Sequence, residues 1–321
     1  MTVPVPPSVS PTSPDGAATL HVTKGHGTRN DFVLVADPQG TFPLDAATAR
    51  ELADRHGGLG GDGVIRVVPS ADLPEGTALL AEDAAARWFM DYRNADGSLA
   101  QMCGNGVRVF AAFVERLGLH DFTAGPLAVG TRAGVKHVVR EAPGWFAVDM
   151  GAGRVVGGSE AVRAGADAHV EVPGLGGPAR PGLSVDMGNP HTVVALASLD
   201  ELAAVDLAHA PVVTPTPPEG TNVELVVPLG EVETPEGIVG HVRMRVHERG
   251  VGETQSCGTG ACAAAIAVRA WAGEDAPTTW LVDVPGGQVR VRLLADEHVE
   301  LAGPAVLVAE ADVDLTALAP R

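Results

Sequence analysis

The stretches MCGNGVRVFAAFV (102–114) and SCGTGACAAAIAV (256–268) share one layout, Cys-Gly-x-Gly opening an apolar run at helical spacing. Their cysteines, Cys103 and Cys257, lie 154 residues apart. A chain of 321 residues has a prior of about two domains of roughly 150 residues each, so the echo and the length agree. Two topologically similar halves are expected, each centred on one buried helix. The fold class is α/β (α+β), with Val-rich strands separated by Gly/Pro turns, such as 144–149, 192–196, 223–227 and 241–247.

Outward from the first motif, a strand is expected from Leu20, a turn over His26 to Asn30, a strand over FVLVAD, and a helix from Asp45 to His56 with Asp as its cap and Gly57 beyond its end. Strands around 64–68 and 86–92 lead into Cys103. The stretch from Pro211 to Gly220 reads as a loop. Residues 1–18 hold five prolines among Ser, Thr and Val and read as a disordered tail.

Composition excludes several function classes. Twenty-two basic against 40 acidic residues give a net charge of −18, which repels polyanions, so no nucleic-acid partner is expected. The first 23 residues carry no Lys or Arg, and the chain has no run of about 18 apolar residues, so neither export nor a membrane span is expected. Three cysteines without disulfide-like spacing point to a reducing, cytoplasmic setting. The 11 histidines form no H-E-x-x-H and no close Cys/His set, so no metal is implied. Lys24 and Lys136 are the two lysines, and neither follows a phosphate-cradling glycine loop, which argues against pyridoxal phosphate. The run Gly58-Leu-Gly60-Gly-Asp62-Gly63 fits G-x-G-x-x-G but follows a helix and precedes a strand, the reverse of the dinucleotide-binding order.

A thiol at the first turn of a helix faces the positive end of the macrodipole and free N–H groups, which lower its pKa and favour thiolate. A lone cysteine is often only a small buried hydrophobe, the reading taken for Cys262. Two in matched glycine-flanked settings suggest chemistry. Gly104-Asn105 and Gly258-Thr259 would form anion nests at the helix ends. Paired thiols suit removal of a proton from one face of a stereocentre and its return on the other.

The stretches GHGTRNDF (25–32), NADGSLAQMCGNGVR (94–108), DMGNPH (186–191), GTNVE (220–224) and HERGVGETQSCGTGACAAA (247–265) resemble the diaminopimelate epimerase family over residues of about 20 to 310. The resemblance implies two pseudo-symmetric domains, each a curved, mostly antiparallel sheet around a central helix, with the site in the cleft. It places the first domain at 19–149, completed by a strand within 304–316, and the second at 150–303. It implies cofactor-independent conversion of L,L-diaminopimelate to the meso form, with Cys103 and Cys257 as acid and base and His191 and Glu248 tuning them. Asn30, Asn94, Asn105, Asn189 and Asn222 would contact substrate, with Arg249 on a second carboxylate and Glu248 also accepting the reacting ammonium. A homodimer is the family expectation. Arg29 departs from the family's usual glycine at that place. Two alternatives stay open: a proline or hydroxyproline racemase with the same two-thiol logic, and a non-catalytic amino-acid-binding protein on this scaffold.

Overall fold

The computed structural model describes residues 9–10, 19–141, 144–235 and 237–318. Their contacts divide the chain into two units. One runs to Val148 and resumes at Pro304; the other is Asp149–Gly303. Among the described residues no helix is long and apolar enough to cross a membrane.

In the first unit, strand Thr19–Gly27 pairs antiparallel with Asn30–Ala36 on one side and with Val306–Asp314 on the other. Asn30–Ala36 runs parallel to Gly63–Pro69, which is antiparallel to Trp88–Asn94. That last strand runs parallel to Leu127–Thr131, and antiparallel pairing continues through Gly134–Glu141 to Trp145–Val148. Helix α1 (Ala46–Ala53), capped by the Asp45 carboxylate on the Thr48 N–H at 2.8 Å, closes an apolar layer of Leu20, Val33, Val35, Leu52 and Val64. The expected extension of α1 to His56 does not form. After Ala53, the Asp54 carboxylate takes the N–H groups of His56 and Gly57 and turns the chain outward. Helix α2 (Pro74–Glu82) was not expected from the sequence.

Helix α3 (Gly104–Arg116) follows Cys103. Val107, Val109, Phe110, Ala111 and Val114 are all fully buried. Polar Asn105 and Arg108 are buried with them, and α3 lies against strands 19–27, 30–36, 63–69 and 306–314. It is the central helix of its half.

The second unit repeats this order. Hairpin Arg180–Asp186 and Pro190–Ala195 is antiparallel, the latter strand runs parallel to Asn222–Thr234, and that strand is antiparallel to Gly237–Glu248. Gly237–Glu248 runs parallel to Thr279–Val284, with Gly287–Leu293 and His298–Pro304 following in antiparallel order. Two short helices, α4 (Gly158–Ala164) and α5 (Leu199–Ala204), precede the central one. That helix, α6 (Gly258–Ala272), follows Cys257 and stands where α3 stands in its own half. Its buried alanines (261, 263–265 and 267) allow close approach of the surrounding strands.

One further expectation is corrected. The stretch 211–220 is not loop throughout, because Val212–Thr214 pairs antiparallel with strand Ala168–Glu171. The expected N-terminal tail lies outside the described residues except at Val9–Ser10. These pair with Leu20 and Thr19, taking up backbone groups that strand 30–36, ending opposite Val22, does not reach.

Candidate active site

The first half-site forms where the hairpin turn meets the start of α3. Gly27 faces Asn30 across a two-residue turn in which Thr28 (φ 49°) and Arg29 (φ 62°) are both left-handed, the geometry a right-twisted hairpin favours. A β-branched residue there is strained. Thr28 is held by Arg108, fully buried in α3, whose Nη2 donates to Thr28 Oγ1 at 3.4 Å and to Asn105 Oδ1 at 2.9 Å. A side chain at Gly27 would press on the Asn105 carbonyl and on Arg108, so glycine lets the turn approach the helix.

Cys103 is the N-cap of α3, and its sulfur accepts the Gly106 N–H at 3.4 Å. Its S–H donates to Asn30 Oδ1 at 3.4 Å, and Asn105 Nδ2 donates to the same oxygen at 3.3 Å. The structure thus brings Cys103, Asn30 and Asn105 together. Asn94, at the end of its strand, donates to Ser98 Oγ at 3.0 Å.

The second half-site is more enclosed and charged. Cys257 is buried at the start of α6, its sulfur 3.6 Å from Thr259 Oγ1. Asn189 Nδ2 donates to Thr259 Oγ1 at 3.4 Å, while Asn189 Oδ1 meets His191 Nε2 at 3.0 Å. His191 Nδ1 lies 2.7 Å from Glu224 Oε1, both side chains being fully buried. Glu248 accepts the Thr254 hydroxyl. Burial lifts the Glu248 carboxyl above the usual carboxylate range, against the hydrogen bonds from Thr254 and Cys257 that pull it down.

One expectation fails here. The helix-end argument favoured thiolate at both cysteines. Burial instead pushes the Cys257 thiol well above its ordinary value, and the Glu248 and Glu224 carboxylates push it the same way. Desolvation and two nearby negative charges outweigh the partial charge of the helix end.

Asn222 and Arg249 serve the local backbone. Asn222 donates to the Pro190 carbonyl at 3.2 Å and accepts the Arg249 N–H at 2.9 Å. The Arg249 guanidinium is exposed and bonds the Glu219 carbonyl, with the Glu219 carboxylate at 3.9 Å. Gly104 and Gly258 are the first residues of the two central helices, and both are buried. Sequence reasoning missed Asp62, Arg108 and Glu224 as parts of these half-sites. All three lay in stretches already singled out, so their signal was position within a motif.

These half-sites sit on a fold made of one strand-and-helix plan used twice, and the same class of fold occurs in solved structures of other proteins. A Bacillus anthracis phenazine biosynthesis protein of the PhzF family matches with a TM-score of 0.60 at 17% identity, covering 92% of this chain and 99% of that one. An Agrobacterium vitis hydroxyproline epimerase matches with a TM-score of 0.54 at 14% identity, covering 92% and 93%. At such identities the likeness shows the fold alone. Sequence carries the assignment further: the family model for diaminopimelate epimerase matches residues 22–156 and 183–308. The diaminopimelate epimerase of Streptomyces coelicolor is 47% identical over 298 residues, 91% of this chain and 94% of that protein. The chain belongs to the diaminopimelate epimerase family.

Proposed function

We propose that the protein is a cofactor-independent isomerase that interconverts L,L-diaminopimelate and meso-diaminopimelate, acting in the cytoplasm as a homodimer. The observation that carries the reading is the pair of Cys-Gly-x-Gly motifs, each heading the central helix of its half, in a chain of this family. One cysteine removes the α-proton as thiolate and the other delivers a proton as thiol. The high pKa of Cys257 supports it as the proton donor in the resting protein, with Cys103 as the base. Backbone N–H groups at Gly104-Asn105 and Gly258-Thr259 receive the substrate carboxylate and the charge that develops on it. Glu248 takes the reacting ammonium and, with His191, tunes the second thiol. Asn30, Asn94, Asn105, Asn189, Asn222 and Arg249 complete the substrate contacts.

Proton NMR of the protein with L,L-diaminopimelate in D₂O tests this. Expected are loss of the α-proton signal and appearance of the meso product, both abolished in Cys103→Ser and Cys257→Ser and absent with L-proline. Exchange of proline with diaminopimelate inert would transfer the reading to a racemase. No exchange of either by reduced protein would favour a binding role.

A further inference from the structure

The glycine-rich run 58–63 has no part in the proposed reaction, yet its Asp62 touches the Cys103 half-site. Asp62 Oδ2 accepts Asn30 Nδ2 at 2.6 Å and the Asp31 N–H at 3.1 Å. The loop is anchored, because the Asp62 N–H donates to the Asp31 carbonyl at 2.7 Å and its carbonyl accepts the Ala95 N–H at 3.0 Å. Arg55 bridges Asp62 Oδ1 at 2.8 Å and Asp31 Oδ1 at 2.7 Å, while Lys24 bonds Asp31 and the Gly60 carbonyl. Partial burial raises the Asp31 carboxyl, but Arg55 and Lys24 overcome this and hold it at about 2.

A carboxylate only accepts and a guanidinium only donates. At one end of the half-site, Asp62 therefore draws the NH₂ of Asn30 toward itself. At the other, Arg108 draws the Asn105 oxygen, which turns Asn105 Nδ2 onto Asn30 Oδ1. Both ends set the same orientation, with the oxygen of Asn30 toward the sulfur of Cys103 at 3.4 Å.

We propose that Asp62 is a positioning residue for Cys103: it locks the Asn30 amide so that the thiol meets a hydrogen-bond acceptor and the thiolate meets no donor from that side chain. This rests on the reading of Cys103 as a reacting thiol. Its consequence is a more basic thiolate, one that keeps the Gly106 N–H and gains no further donor from Asn30. The charged groups facing this site are Asp62 and Asp31 from the loop and strand, Lys24 from the neighbouring strand, Arg55 beyond α1 and Arg108 from α3, with His26 on the hairpin accepting the Arg29 N–H.

The test uses the full chain carrying Cys257→Ala and Cys262→Ala, so that Cys103 is the one thiol, and reads its alkylation by iodoacetamide against pH. Asp62→Ala removes the acceptor that draws the NH₂ of Asn30 away from sulfur, leaving the longer Asn105 bond as the remaining hold on that orientation. The alkylation midpoint then moves to lower pH, and the rate at pH 7 rises about fivefold to tenfold, as expected for a new hydrogen bond to a charged group. With Asn30→Ala also present, Asp62→Ala changes the rate less than twofold, which separates amide orientation from loss of charge. Asp62→Asn keeps an acceptor in reach and gives a smaller shift in the same direction; it stands in if the alanine variant does not fold. An unmoved or raised midpoint in the folded variants overturns the proposal, as does an equal shift with and without Asn30. Alkylation needs no turnover, so failure of the epimerase reading would show instead in the unsubstituted chain's NMR assay.

Discussion

Gly106 stands over Ile65 and Gly260 over Glu224, each glycine three residues past its cysteine in a central helix. Reading back along the parallel pairs from Ile65 opposite Leu34 and from Glu224 opposite Val193, Phe32 takes the place of His191 and Asn30 that of Asn189. Across the next strand, Gly63 faces Asn94, and Val223 faces His247, so Asn94 and Glu248 correspond. Each also precedes its cysteine by nine residues. At these matched positions the first half carries Phe32, Ile65 and an amide, while the second carries His191, Glu224 and a carboxylate. One architecture yields two electrostatic settings. The first thiol is bonded to the Asn30 amide, whereas the second is buried and lies beside carboxylates, and burial first and those charges second favour keeping its proton.

The largest way to break this comparison is to give the second half the apolar pair of the first. Glu224 Oε2 has no hydrogen-bond partner among the described residues, and Oε1 depends on His191. His191→Phe alone leaves a buried carboxylate without a partner and should cost about 3–5 kcal/mol of stability. Adding Glu224→Ile removes the orphaned charge and should recover roughly 2 kcal/mol or more, since a matched apolar pair replaces both partners. Urea unfolding of the single and double variants measures this. A double variant no more stable than His191→Phe would mean that Glu224 is not energetically coupled to the imidazole.

Much of this was legible from residue order. The repeated Cys-Gly-x-Gly announced two halves and two helices because glycine spacing and apolar periodicity are local signals. Asn30 and Asn105 were found through their motifs. Glu224 passed unnoticed for a physical reason: it sits in the strand run NVELVV, and its partnership with His191 depends on the register of two parallel strands, which no local pattern states. Arg108 was passed over inside an apolar run, and only the hairpin folded over it shows what it donates to. The thiolate expectation for Cys257 failed because a helix end is visible in sequence, whereas desolvation and carboxylates brought by other strands are not.

A second prediction sharpens the contrast through pH. In the folded protein the Cys257 thiol lies well above its ordinary value of 9.0, so above about pH 9 the unfolded chain loses a proton that the native state keeps. The unfolded state then binds fewer protons, and stability falls as pH rises, by about 1.4 kcal/mol per pH unit until the native thiol ionises. Cys257→Ala should flatten this alkaline slope in urea midpoints taken between about pH 8 and 10.5. Cys103→Ala, measured alongside, shows how much of the slope belongs to the second half. An unchanged slope in Cys257→Ala would contradict the buried, carboxylate-flanked setting.

The smallest effect concerns the hairpins that carry Asn30 and Asn189. In the second half the residue before the asparagine is Gly188, at φ 87°, where glycine is at no steric disadvantage. In the first half the corresponding residue is Arg29, exposed and at φ 62°. A residue with a Cβ pays roughly 1 kcal/mol for this conformation, while glycine gives back part of that gain through its freer unfolded chain. Arg29→Gly should therefore stabilise the protein by about 0.5 kcal/mol, a rise of one or two degrees in Tm. Thr28 cannot be relaxed in the same way, because its hydroxyl is bonded to Arg108 and its release would loosen the turn from α3. If Arg29→Gly lowers Tm, the exposed guanidinium contributes more than its backbone strain costs, and the two hairpins differ in how their turns are held as well as in what lies behind them.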